Sequence, residues 1–188
     1  MAMTHKSTLR AQLLQQREKL TPAQRTLAET TIGQHLHNWL QDKNYTCVGG
    51  YWPIRGEVDL RPLLQKLAQQ YVVALPVSQI NQPLNFVRWH PDAMMIQDAY
   101  KIPVPAQQNH IHPDCLLIPC VGFDAAGYRL GYGAGFYDRT LAAWNAQGQA
   151  RPVLVGVSFS GGKIASSFHQ PHDVALEWIV TEAGLMKV

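Results

Sequence analysis

The chain has 188 residues, 46% of them hydrophobic and 15% charged, with a formal net charge of +3. That length suits one domain with its own core, the composition excludes a disordered chain, and the charge excess is too small for a nucleic-acid signature. No apolar run approaches the roughly 18 residues of a membrane span, and no signal-peptide pattern follows the polar start at Thr4, His5, Lys6 and Arg10.

The first 40 residues read as two helices. Leu9, Leu13 and Leu14 recur at helical spacing, with Arg10, Arg17 and Lys19 between them. Thr21-Pro22-Ala23-Gln24 is a helix start, and Leu27, Ile32, Leu36, Trp39 and Leu40 carry the second helix to about Asp42. Residues 46–52 then read as a strand ending at Pro53, and Asp59-Leu60-Arg61-Pro62 opens a short helix. Strands follow at 71–75, bounded by Pro76, and at 84–90. Residues 91–113 look like a long surface excursion. Strand character resumes at 115–119 and 121–124, a glycine-rich loop leads into a helix over 137–144, and strands at 152–159 and 177–181 close the chain. Strands separated by helices imply an α/β fold with a mostly parallel sheet. Residues 1–42 form a helical pair packed on that single domain.

The sharpest local feature is Arg129-Leu130-Gly131-Tyr132-Gly133-Ala134-Gly135-Phe136-Tyr137-Asp138-Arg139. Alternating glycines let backbone N–H groups approach a ligand, and a following helix N-terminus suits phosphate oxygens. Arg129 and Arg139 add fixed positive charge, and Asp138 adds a carboxylate suited to Mg²⁺. No Gly-Lys-Ser/Thr closes the loop as in a Walker A motif, and the spacing is not the dinucleotide GxGxxG. A tight turn that merely needs glycines is the competing explanation. Gly161-Gly162-Lys163 reads as a surface turn.

At this loop the sequence resembles the 5-formyltetrahydrofolate cyclo-ligase family, whose signature is close to R-L-G-x-G-x-G-Y-Y-D. Lys6-Ser7-Thr8-Leu9-Arg10, residues 55–63, and His172-Asp173 with Ile179-Val180-Thr181-Glu182 resemble further family segments in order. Ala134 departs from the Gly or Lys often found there, and Gln170-Pro171 from the acidic residue before the family's H-D. The resemblance implies a three-layer α/β/α fold related to sugar-phosphate isomerases and CoA transferases. It implies ATP- and Mg²⁺-dependent cyclisation of 5-formyltetrahydrofolate to 5,10-methenyltetrahydrofolate, with ADP and phosphate released.

The same resemblance assigns roles. Lys6, Arg10, Arg129, Leu130, Gly131, Tyr132, Gly133, Ala134, Gly135, Phe136 and Tyr137 bind ATP, with Arg129 and Lys6 also catalytic. Arg10, Trp52, Glu57, Tyr132 and Phe136 contact the folate, and Asp138 and Asp173 hold Mg²⁺. For Trp52 the alternative is a core aromatic at a strand end, for Glu57 a surface carboxylate between Arg55 and Arg61, and for His172-Asp173 a turn cap. A sugar-phosphate isomerase or acyl-transferase relative without ATP and a non-catalytic nucleotide-binding module remain as other readings. No histidine set has zinc spacing. Cys47, Cys115 and Cys120, with no CxxC, fit a reducing, cytoplasmic setting. A monomer with no nucleic-acid or membrane partner is expected.

Overall fold

The computed structural model describes residues 2–165, 168–169 and 173–188, with side chains from Lys6 onward. Among these lie helices α1 (Ala2–Glu18), α2 (Pro22–Gln41), α3 (Arg61–Leu67) and α4 (Phe136–Ala146). The strands are β1 (Cys47–Gly49), β2 (Val72–Val77), β3 (Asn85–Trp89), β4 (Met95–Gln97), β5 (Pro103–Pro105) and β6 (Cys115–Pro119). They continue as β7 (Gly122–Asp124), β8 (Arg129–Leu130), β9 (Val153–Val157), β10 (Lys163–Ile164), β11 (Trp178–Thr181) and β12 (Gly184–Lys187).

Seven strands form one sheet in the order β12-β11-β9-β6-β1-β2-β3. The five central strands run parallel, while β3 and β12 close the two edges antiparallel. The sheet is therefore mixed, with a parallel centre. Buried strands of this kind read as continuous apolar runs. On β6, Cys115 and Leu117 face the α2/α3 layer, and Leu116 and Ile118 face α4. That two-residue alternation divides one strand between two cores.

Helix α2 starts on a complete capping box: Gln24 N donates to Thr21 Oγ1, and Thr21 N donates to Gln24 Oε1. It buries Ala28, Ile32, Leu36 and Leu40, a strict four-residue stripe. Leu27 lies off that stripe and is 70% exposed, so it is not a core residue.

Four further expectations change. Pro76 lies inside β2, opposite Phe86, where β1 has ended at Ala74 and β2 has a neighbour on one side only. The excursion at 91–113 contains the β4–β5 hairpin. Residues 178–181 are not the last strand, because β12 pairs back onto β11. Helix α4 begins at Phe136, one residue before the expected start.

A smaller sheet, β10-β7-β8, stands beside the main one. Leu13 of α1 joins Val121, Leu130, Ile164 and Phe168 there, flanked by Leu9 and Leu14. This packing lays α1 along the loop between β8 and α4.

Candidate active site

Lys6, Arg10, Leu13 and Arg17 fall within about 60° of one another around a helix of 3.6 residues per turn. Leu13 buries into the small sheet, so the three cations are turned toward the same edge of the fold. Lys6 Nζ pairs with Asp173 Oδ2 at 2.8 Å. Arg10 Nε donates to the Gly131 carbonyl at 2.6 Å, and its guanidinium lies 3.3 Å from where a Cβ on Gly133 would stand. Arg17, 7% exposed, donates to the Cys120 carbonyl at 2.6 Å and to the Tyr132 hydroxyl at 3.3 Å. Arg17, one of the basic residues between the leucines of α1, is buried by the loop it contacts.

The loop is shaped by two glycines. Gly133 has φ +96° and Gly135, the N-cap of α4, has φ +66°, both in the left-handed region. No side chain caps α4, so the first-turn N–H groups keep their positive partial charge at the loop. Arg139 donates to the Ala134 carbonyl at 2.6 Å and stacks over Phe136. Arg129 donates one nitrogen to the Val174 carbonyl at 2.9 Å and the other to Asp138 Oδ1 at 2.5 Å.

Glu57 is 6% exposed, so it is not a surface carboxylate. Arg55 and Gly56, both at positive φ, form a tight turn closed by Glu57 N donating to the Ile54 carbonyl. Ile54 N donates to Glu57 Oε2 at 2.9 Å. Burial pushes the Glu57 carboxyl up to about 7, against the pull of that hydrogen bond and of Arg17 and Arg55. Burial also raises the Tyr51, Tyr132 and Tyr137 hydroxyls, with the Glu57 charge acting in the same direction. Tyr132 donates to the Arg55 carbonyl at 3.2 Å, linking loop to turn.

Trp52 lies elsewhere, under the Arg61 guanidinium at 5.3 Å, in a groove with Trp89, Pro91 and Met95. Phe136 stands at the start of α4 and meets Tyr100 of the β4–β5 hairpin edge-on at 5.3 Å. The structure thus gathers Lys6, Arg10, Arg129, the loop, Asp138, Asp173 and Glu57 around one edge, with Trp52 in the separate groove.

Among the described residues, no group of three or more His, Cys, Asp or Glu gathers as a metal cage. Mg²⁺ held with phosphate oxygens needs only one or two carboxylates. Asp138 and Asp173 are the carboxylates that could supply these, and Arg129 links Asp138 to the residue after Asp173. The hard-oxygen donor set fits. His172 and Gln170-Pro171 lie outside the described residues. Glu182 accepts from the Ser160 backbone and hydroxyl, which gives it a capping role over the turn at 160–162.

Arg17, Tyr51 and Arg55 went unassigned in the sequence. The usable signal for Arg17 was its register: it shares the Lys6, Arg10 and Leu13 stripe.

A family model for the 5-formyltetrahydrofolate cyclo-ligase family matches residues 2–182. A 5-formyltetrahydrofolate cyclo-ligase of Haemophilus influenzae is 35% identical over 144 residues, covering 72% of this chain and 77% of the relative. One of Mycoplasma pneumoniae is 30% identical over 181 residues, covering 94% and 98%. The solved 5,10-methenyltetrahydrofolate synthetase of Aquifex aeolicus superposes with a TM-score of 0.83 at 30% identity, covering 97% of this chain and 92% of that one. The synthetase of Mycoplasma pneumoniae gives 0.73 at 28%, covering 94% and 98%.

Proposed function

The chain belongs to the 5-formyltetrahydrofolate cyclo-ligase family, and from that premise we propose that it is an ATP-dependent enzyme that closes 5-formyltetrahydrofolate to 5,10-methenyltetrahydrofolate. The observation that carries the reading is the single edge where Arg10 and Arg17 of α1 meet the glycine-rich loop and Lys6 meets Asp173, with a buried carboxylate behind it.

The substrate's difficulty is its electrophile. An N5-formyl group is an amide, and its oxygen leaves poorly. Transfer of the γ-phosphoryl group to that oxygen gives an imidate-like phosphate and ADP. N10 then attacks the activated carbon, the C–O bond breaks, phosphate departs with the formyl oxygen, and N10 loses its proton. Such transfer needs positioning and charge neutralisation more than covalent help from the protein.

Lys6, Arg10 and Arg129 neutralise the phosphates, and residues 130–137 cradle them with backbone N–H groups. Asp138 and Asp173 hold Mg²⁺, which supplies a further positive charge to the phosphates when bound. Their present partners, Arg129 and Lys6, then face phosphate in place of carboxylate. Glu57 accepts hydrogen bonds from the pterin edge, and Tyr132 and Phe136 border the folate. Arg10 also approaches the folate. The parallel sheet centre and flanking helices support a place beside the sugar-phosphate isomerases and CoA transferases in fold. The three free, buried thiols support a reducing, cytoplasmic setting, and a monomer is the simplest assembly.

Mixing the protein with ATP, Mg²⁺ and 5-formyltetrahydrofolate tests the activity through growth of the methenyl absorbance. Substrate labelled with ¹⁸O in the formyl group tests the intermediate. One labelled oxygen in the released phosphate is expected, and unlabelled phosphate would exclude the phosphorylated formyl route.

A further inference from the structure

The proposed chemistry gives Arg17 no role, yet its contacts reach the sheet, the glycine-rich loop and the Glu57 turn. Its guanidinium donates to the Cys120 carbonyl, between β6 and β7, and to the Tyr132 hydroxyl within the glycine-rich loop. Tyr132 continues the chain by donating to the Arg55 carbonyl, in the turn that presents Glu57. The Arg17 stem is also close to that turn, 3.7 Å from where a Cβ on Gly56 would stand. One side chain of α1 thus touches the sheet, the loop and the carboxylate turn.

We infer that Arg17 is a positioning residue for the cyclo-ligase reaction, holding the glycine-rich loop and the Glu57 turn in register through Tyr132 and adding positive charge beside Glu57. The inference rests on the cyclo-ligase reading for its kinetic consequences but not for its structural ones. A guanidinium is suited to the task because its planar fork bonds two acceptors at fixed angles, which an ammonium does not. The groups facing Glu57 are Arg17 from α1, Arg55 from its own turn, Tyr51 after β1, Tyr132 from the loop, Tyr137 from α4 and Cys120 after β6. The Ile54 N–H and the two arginines favour its ionised form, so losing Arg17 moves its titration to higher pH.

Three variants separate charge from geometry. Arg17→Met keeps the apolar stem and removes both. Arg17→Lys keeps the charge and loses the fork. Tyr132→Phe removes only the hydroxyl link. Carboxyl ¹³C NMR resolves the titration directly, since the chain has five glutamates and Glu57→Gln assigns the signal. The Glu57 midpoint is expected to rise by one pH unit or more in Arg17→Met and to stay within a few tenths in Arg17→Lys and Tyr132→Phe. In steady state, all three variants are expected to lose roughly tenfold or more in kcat, with the folate KM limb displaced upward in pH only for Arg17→Met. An unmoved Glu57 midpoint in folded Arg17→Met, or wild-type kcat in folded Arg17→Lys and Tyr132→Phe with only a lowered Tm, would overturn the inference. Absence of turnover in the wild type would overturn the cyclo-ligase reading instead, and the NMR midpoint would still decide the role of Arg17.

Discussion

The two faces of the main sheet and the α1–loop edge are held together by different forces. Between α2 and the sheet, Ile32, Leu36 and Leu40 are fully buried against Val48, Leu117 and Val155, and contact there is non-directional. Along the α1–loop edge, Leu13 supplies the apolar anchor, and Lys6, Arg10, Arg17, Arg129 and Arg139 close the rest onto carbonyls and carboxylates. Directional bonds fix positions more sharply than apolar contact does, and several of them end on groups that an incoming phosphate or metal ion can replace. The fold is therefore built where side chains are interchangeable, and the site where they are not.

The widest separation between the two regions is expected from one change in each. Gly133→Val forces a β-branched residue to φ +96° and drives its Cβ to 3.3 Å from the Arg10 guanidinium. Backbone strain of about 1–3 kcal/mol is local to a surface loop. Circular dichroism should stay native while ATP titration shows no binding; normal ATP affinity in the folded variant would detach the loop from the nucleotide. Leu36→Ala should do the reverse. It costs about 2–5 kcal/mol of stability, seen in chemical denaturation, with KM values and kcat unchanged. Altered kinetics in that variant would show that the sheet core and the site are energetically coupled.

Asp138→Asn comes next. It keeps shape and hydrogen bonding, removes the charge opposite Arg129, and leaves Arg129 its bond to Val174. Turnover should fall on the order of a hundredfold, with part recovered by raising Mg²⁺ and with folate binding unaffected in the absence of nucleotide. Wild-type turnover at limiting Mg²⁺ would reduce Asp138 to a favourable charge in the first turn of α4.

Glu57→Gln carries a pH signature. With its carboxyl raised from 4.5 to about 7, the native protein binds more protons than the unfolded chain between those values. Stability from this group is present below pH 4.5 and is lost as pH rises through 7, on the order of 3 kcal/mol in all. The Gln variant lacks that slope, so its Tm should gain on the wild type between pH 5 and pH 8. The wild-type folate KM should fall as pH rises through 7, whereas the variant's should be roughly tenfold higher and flat. Parallel Tm curves for the two proteins would place the Glu57 titration outside this range.

How much of this was visible in the residues follows the same division. The capping box at Thr21 and Gln24 and the apolar run of β6 announce themselves, because propensity and burial act on neighbours in sequence. The loop was legible because φ of +96° and +66° lies in the left-handed region that favours glycine. What could not be read depends on contacts between distant segments. Leu27 and Ala28 are adjacent, and only the position of the sheet decides which is buried. The β12 hairpin lies beyond a segment that already read as terminal. Arg17 looks like any basic residue on an amphipathic helix until β8 and the loop are placed 115 positions away in sequence. Glu57 sits between two arginines in sequence, but Arg61 turns to Asp59 at 2.6 Å and leaves it to Arg55 and to Arg17 of the distant α1.

Gly131 should give the smallest effect, and it divides the loop most finely. The alternation of glycines at 131, 133 and 135 suggests one shared requirement, but the conformations differ. Gly133 and Gly135 occupy the left-handed region; Gly131 does not, and a Cβ on it meets nothing within 4 Å. The backbone therefore has no use for glycine at 131. A ligand does, if phosphate oxygens approach that peptide more closely than a methyl group permits. Gly131→Ala should consequently leave Tm within about a degree of wild type, since Ala at an unstrained surface position changes stability by only about 1 kcal/mol or less. The ATP KM should rise several-fold while the folate KM stays constant. An unchanged ATP KM would place the phosphates over Gly133 and the start of α4 alone, leaving Gly131 to serve only through the carbonyl that Arg10 holds.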